Sequence, residues 1–361
     1  MPVHTDFTRL FDLSCPVIQA PMAGGGDTRE LVSAVSNAGA IGFIGAAYLT
    51  SEQIIERGRA VRAQTSRPFG INLFAPLSSR NVTEDSTAKA VERITPYFEE
   101  LGLPAPDPPK LPASSFDEQL AASLEIGAQM FSFTFGLLPR QTIQQIKRRG
   151  LFVAGTATTV KEAQALVEAG VDAVIAQGNE AGGHRGTFAT DFESGAVGSL
   201  SLVPQIADAV SVPVIASGGI MDGRGIAAVL ILGASAAQMG TAFLTCNEAG
   251  IATAYRDAIL AATEEETRIT RAFSGRPARG IINRLLCEYQ NLNEGILPFP
   301  LQNALTRPLR AEAARQNRSE YLSLWAGQGL RMARRTSAAE LIERLEAELS
   351  DALNLKRVLI Q

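Results

Sequence analysis

The sequence predicts a closed (β/α)8 TIM barrel of the α/β class, continued by a mostly helical C-terminal extension. Two observations carry this. Eight short β-rich segments lie at 17–20, 41–44, 69–73, 130–134, 151–154, 173–176, 214–217 and 236–239. They read as nearly continuous apolar runs, the pattern of parallel strands covered on both faces. Helical patterns with their own start and stop signals separate most of them. Eight regular units over roughly 240 residues match a closed barrel, whereas an open doubly wound sheet rarely needs so many.

The first inter-strand helix, 28–38, carries Leu31, Val32 and Val35 and meets Gly39 just beyond its end. Thr50 with Gln53, and Thr159 with Glu162, have capping-box spacing, and Gly170 ends the second of those helices. Two segments break the rhythm. Residues 75–115 include Pro104-Ala-Pro-Asp-Pro-Pro-Lys-Leu-Pro112 and read as a surface excursion with one extra helix. Residues 180–200 form a long glycine-rich loop, on the barrel face where loops carry function. The barrel domain is therefore assigned to 1–247. Residues 248–333 read as a largely helical, substrate-side domain with a turn at Leu297-Pro-Phe-Pro-Leu301. The segment 334–361 is a final helix with a Ser337/Glu340 capping box. Its stripe of Leu341, Leu345, Leu349 and Leu353 is suited to packing on the barrel or on a partner subunit.

Composition removes several function classes. With 33 basic and 37 acidic side chains the net charge is −4, which gives no electrostatic case for nucleic acid. Cys15, Cys246 and Cys287 are scattered, without metal spacing, and are expected as free thiols in a cytoplasmic protein. The N-terminal residues lack a basic segment followed by an apolar one, so no signal peptide is expected. The uncharged stretch 227–245 contains Gly233, Ser235, Gln238 and Gly240 and splits into a helix end and a strand, as core does. A monomer or homodimer acting on a small molecule fits this balance.

In such a barrel, chemistry sits on the loops that leave the C-terminal ends of the strands. After the first strand, Gln19-Ala-Pro-Met-Ala-Gly-Gly-Gly26 puts Met22 at the mouth, either as a core residue or lying against a flat ring. Asn72 stands in an otherwise apolar third strand, where it must find partners: backbone groups, or the amide-like edge of a heterocycle. Gln177 is a second amide, directly before Gly178-Asn-Glu-Ala-Gly-Gly-His-Arg-Gly186. That loop presents His184, one of two histidines, between Gly182, Gly183 and Gly186, so an imidazole can approach a ligand closely. After the seventh and eighth strands come Ser217-Gly-Gly-Ile-Met-Asp-Gly-Arg-Gly225 and Gln238-Met-Gly-Thr241. The backbone N–H groups of Ser217, Gly218, Gly219, Met239, Gly240 and Thr241, with a helix N-terminus, make a phosphate cradle. Asp222 reads as a helix N-cap, and Arg224 as either a phosphate partner or a solvated side chain. A phosphorylated flat cofactor fits the layout, and FMN is the simplest choice.

These segments together resemble the nitronate monooxygenase family. The resemblance rests on Gln19-Ala-Pro-Met22, Phe69-Gly-Ile-Asn-Leu-Phe74, the 178–186 loop, Ala216-Ser-Gly-Gly-Ile-Met-Asp-Gly-Arg224 and Gln238-Met-Gly-Thr241, and Leu324-Trp-Ala-Gly-Gln-Gly329 extends it. It implies FMN-dependent oxidation of alkyl nitronates by O2 to a carbonyl compound and nitrite, with propionate 3-nitronate as the expected substrate. It also implies FMN contacts at Asn72, Gln177, Gly182, Gly219 and Gln238 to Thr241, with His184 facing the nitronate. The same barrel and histidine loop resemble NAD(P)H:quinone reductases and flavin enoyl-reductases. A Schiff-base aldolase is disfavoured, since none of Lys89, Lys110, Lys147, Lys161 and Lys356 ends a strand. A metal site is not expected, because one core histidine and scattered carboxylates supply no ligand set. Tyr255, Tyr289 and Phe299 are candidates for the pocket wall by type alone.

Overall fold

The computed structural model describes residues 3–77, 82–111, 115–290, 292 and 295–359. Residues 78–81 and 112–114 of the 75–115 insertion, with Pro112, lie outside the described residues, as do the last two of the chain. All eight expected strands are present and parallel: β1 (Val17–Gln19), β2 (Gly42–Gly45), β3 (Phe69–Phe74), β4 (Met130–Thr134), β5 (Phe152–Ala157), β6 (Ala173–Gln177), β8 (Val214–Ser217) and β9 (Ala236–Met239). A further two-residue strand, β7 (Gly183–His184), lies outside the barrel. The barrel order is β1-β9-β8-β6-β5-β4-β3-β2. It closes where Gln19 N donates to Ile41 O (2.9 Å) and Ile41 N to Val17 O (3.1 Å). The Gln19 side chain adds to the seam, its Oε1 accepting from Phe43 N at 2.9 Å.

The lower interior is apolar. Ile18, Phe43, Met130, Ile175 and Ile215 fill it, and Phe7 and Phe11 of the helix Asp6–Phe11 plug the end opposite the site. Both rings meet Phe152 edge-on, at 6.1 and 5.4 Å. Most caps form as their residues dictate. Thr28 and Thr50 accept from Leu31 N and Gln53 N, and Gln53 completes its box. The box expected at Thr159 is only half made. Thr159 accepts from Glu162 N, but the Glu162 carboxylate takes Thr158 N, Thr158 Oγ1, Phe188 N and Ala189 N instead. Burial explains this: four donors around an inaccessible carboxylate offset its desolvation better than one cap bond.

The C-terminal segment departs from its expected helical character. Strands β10 (Thr267–Thr270) and β11 (Ala278–Ile281) form an antiparallel sheet with β7, pairing Ala278 with His184. These pairings are long-range and short, so no local periodicity announces them. The insertion helix Glu84–Glu100 is no free excursion either. Its Ile94 and Phe98 share a second core with Phe273, Leu285, Leu309 and Tyr321. Glu100 and Arg284 lock the edge of that contact with two parallel bonds of 2.6 and 2.8 Å. The helix Ala338–Leu359 inserts Leu341, Leu345 and Leu349 into the main barrel core, with the Ser337/Glu340 box formed.

Candidate active site

Two residues further along the strands, the barrel interior turns from apolar to polar. Above Ile175, Ile215 and Met130 stand Gln177, Ser217 and Ser132, joined by Asn72 and Gln238. This rim opens into a cavity of about 650 Å3 at the C-terminal ends of the strands. Met22, Asn72, Gln177, Gly182, Gly183, His184, Ser217, Gly218, Gly219, Gln238, Met239, Gly240 and Thr241 all line it, so the structure gathers every predicted site residue into one place. The lining holds no lysine. Among the described residues no group of three His, Cys, Asp or Glu side chains could hold a metal ion.

One side of the cavity is built from backbone. Gly218 and Gly219 have φ of +116° and +72°, conformations that suit glycine. The 180–183, 218–219 and 326–329 segments meet so closely that a Cβ on Gly182 would lie 2.5 Å from Gly327 N. Gly327 N donates to Thr241 Oγ1 (3.0 Å) and Gln328 N to Glu180 O (2.9 Å). The helix Gly223–Ile231 contributes less than its sequence suggested. Asp222 occupies Arg224 N and Gly225 N, and Glu348 accepts from Gly223 N, so its N-terminus is already capped. Arg224 pairs with Asp222 and is 78% exposed, away from the lining.

The amides differ in their commitments. Asn72 Nδ2 donates to Ser132 Oγ at 2.8 Å. Gln177 bolts the histidine segment, Nε2 donating to His184 O (3.0 Å) and Oε1 accepting from Gly186 N (2.8 Å). Gln238 Oε1 is buried with no hydrogen-bond partner among the described residues. Arg185, 1% exposed, braces the same segment from inside by donating to Gly178 O, Gln177 O and Gly195 O.

His184 itself is not on a free loop, as its glycines suggested, but held in β7. Its ring sits among Trp325, Phe135, Phe299 and Phe74, at centroid distances of 5.6, 5.7, 5.8 and 6.4 Å. Its Nε2 is buried without a hydrogen-bond partner among the described residues. Burial, and then the positive charges of Arg276 and Arg310, push its pKa down to about 3, so the imidazole is neutral at physiological pH.

Sequence reasoning missed the cationic wall. The helix Leu301–Arg315 places Arg307 and Arg310, one turn apart, on the lining beside Tyr48. Arg310 Nε and Tyr48 Oη are buried without hydrogen-bond partners among the described residues. The i, i+3 arginine spacing with Asn303 was the available signal. It also missed Asp27, 2% exposed, whose Oδ2 accepts from Met22 N (2.9 Å) and Gly45 N (2.5 Å). Burial lifts its pKa to about 7 against those bonds and Arg57. Tyr255 lines the cavity, Phe299 backs His184, and Tyr289 lies in the second core instead.

Comparison with known proteins converges on one family. The nitronate monooxygenase family model matches residues 7–348. The chain is 39% identical over 356 residues to a probable nitronate monooxygenase of Staphylococcus saprophyticus, covering 98% of this chain and 100% of that one. It is 40% identical over 341 residues to one of Bacillus subtilis, covering 94% and 97%. A nitroalkane oxidase from Streptomyces ansochromogenes superposes with a TM-score of 0.90 at 41% identity, covering 97% and 99%. FabK from Thermotoga maritima superposes at 0.76 with 27% identity, covering 98% and 99%. Fold, cavity and relatives agree: this chain is an oxidoreductase that belongs to the nitronate monooxygenase family.

Proposed function

We propose that this enzyme uses FMN to oxidise alkyl nitronates with O2, giving a carbonyl compound and nitrite, with propionate 3-nitronate as substrate. The observation that carries the reading is one cavity with three distinct walls: glycine backbone and amides, an aromatic pocket around a neutral histidine, and two guanidinium groups. The residues fit FMN. Gln238 Oε1 is an unpartnered buried acceptor on the rim, Asn72 and Gln177 are amides facing the same space, and Met22 offers a flat contact. A cavity of about 650 Å3 is of the size that takes a cofactor-sized ligand. FMN, when bound, supplies the redox centre.

The chain's own residues handle the anion. His184, being neutral, orients the nitro group by a hydrogen bond and contributes no charge. Its low basicity makes proton abstraction from a neutral nitroalkane the lesser role. Arg310 and Arg307 supply the positive potential, and their position suits a substrate with a second anionic group, such as a carboxylate. This reading treats 248–333 as the substrate-side domain of a cytoplasmic monomer or homodimer.

Nitronate-dependent O2 uptake tests the proposal. His184→Asn is expected to lower kcat/KM on pre-formed nitronate about 100-fold, and wild-type rates would remove any essential role. Arg310→Met is expected to raise KM for propionate 3-nitronate at least tenfold more than for an uncharged alkyl nitronate. The resemblance of the barrel and histidine loop to flavin enoyl-reductases and NAD(P)H:quinone reductases gives a second reading, and the chain also superposes on FabK. Anaerobic mixing separates them: bleaching of the flavin by NADH alone, and not by nitronate, would select the second.

A further inference from the structure

We propose that Arg276 is a positioning residue for His184, acting at once on the backbone of its strand and on the aromatic ring that borders it. The inference rests on the reading of His184 as the substrate-facing group.

Arg276 lies two residues before Ala278, which pairs with His184 across the β11–β7 ladder. Its side chain turns back over that ladder. Nε donates to Arg185 O at 3.1 Å and Nη2 to Thr187 O at 2.6 Å, so one guanidinium grips the carbonyls just beyond the imidazole. The same guanidinium lies over Phe135, its central carbon 3.9 Å from the ring centroid. Phe135 is held in the left-handed region at φ +79°, a strained conformation for a bulky residue. Its ring stands edge-on to His184, at 5.7 Å and 81°, and lines the cavity. Backbone strain at the end of β4, a cation on the strained residue's ring and the catalytic candidate beyond it form one stack. A planar fork is needed for this. A lysine would keep the charge but could not hold both carbonyls in fixed geometry while covering the ring.

The electrostatics run the same way. Among the described residues, the charged groups that act on the imidazole are Arg276 and Arg310, both favouring its neutral form, while Gln177, Phe74, Phe135, Phe299 and Trp325 around it are uncharged. Removing Arg276 therefore raises the His184 titration midpoint as well as loosening the ring.

The chain has two histidines, so a His4→Gln background leaves a single imidazole for NMR. The side-chain shift of His184 against pH, and nitronate kinetics, are compared for Arg276, Arg276→Met and Arg276→Lys. Arg276→Met is expected to move the midpoint upward and lower kcat/KM about 10- to 100-fold with a cooperative melt retained. Arg276→Lys is expected to keep the midpoint low while the rate stays depressed, because charge survives and the fork does not. A folded Arg276→Met protein with the wild-type imidazole signal, midpoint and rate overturns the proposal. Should that variant not fold, Phe135→Leu removes the surface on which the guanidinium lies. A displaced imidazole signal and slower turnover support the proposal, and an unchanged signal and rate overturn it. If the wild-type protein turns over no nitronate, the assigned reaction fails while the NMR comparison still decides the role of Arg276.

Discussion

At the scale of residues, two buried titratable groups face one cavity with opposite displacements. The folded pKa of His184 is about 3 against an ordinary 6.5. As pH falls below 6.5 the unfolded chain takes up a proton that the folded chain refuses until about pH 3, so this residue destabilises the fold increasingly across that window. His184→Asn is accordingly expected to gain stability relative to wild type on going from pH 7 to pH 5, read by urea denaturation. Equal differences at both pH values would contradict a neutral buried imidazole. Asp27 has the reverse sign. Its folded pKa of about 7 exceeds the ordinary 3.8, so its favourable contribution is complete below 3.8 and is lost as pH rises through 7. Asn at this position can still accept from Met22 N and Gly45 N through its carbonyl oxygen. Asp27→Asn is thus expected to raise the melting temperature more at pH 8 than at pH 5, and a pH-independent effect would refute the assignment.

At the scale of elements, the insertion helix Glu84–Glu100 packs behind the C-terminal segment that walls one side of the site. Ile94 is fully buried in the second core, together with Leu322, which also lines the cavity. Ile94→Ala is expected to destabilise the protein by about 2–4 kcal/mol, measured by chemical denaturation. A loss below about 0.5 kcal/mol would mean that the helix is a dispensable excursion. The strands and this helix were legible in sequence for different reasons. Parallel strands declare themselves by apolar runs, and the capped barrel helices by Thr28 and Thr50. The partners of the insertion helix lie nearly two hundred residues away, as with Glu100 and Arg284, so its destination could not be read locally. The pairing of β7 with β11 is the same kind of case: two residues have no periodicity.

At the scale of the whole molecule, the helix Ala338–Leu359 closes the outside of the barrel. Leu345 and Leu349 join the core that includes Ile226 and Leu31, and Glu348 caps the helix Gly223–Ile231 behind the proposed phosphate side. Leu345→Ala is expected to cost about 2–5 kcal/mol and to lower the melting temperature with no change in the order of nitronate preference. A marginal effect would place the helix's contribution elsewhere. No helix among the described residues is long and apolar enough to cross a membrane, and the uncharged 227–245 stretch divides into the helix end and strand that its sequence suggested, followed by a short helix, Thr241–Leu244, that it did not.

The sequence by itself determined the eight strands, and with them the place of Met22, Asn72, Gln177, His184, Ser217 and Gln238, because strand ends in a closed barrel converge on one face. It could not determine how these groups are charged or held. Whether the imidazole is neutral depends on burial and on Arg276 and Arg310, which stand 92 and 126 positions further along the chain. Whether Arg307, Arg310 and Trp325 face the cavity beside Tyr48 and Asp27 depends on how the C-terminal segment folds back over the barrel mouth. Periodicity encodes the direction a side chain takes from its own element. The electrostatic environment it enters is the sum of groups distant in sequence, and only the tertiary structure decided that.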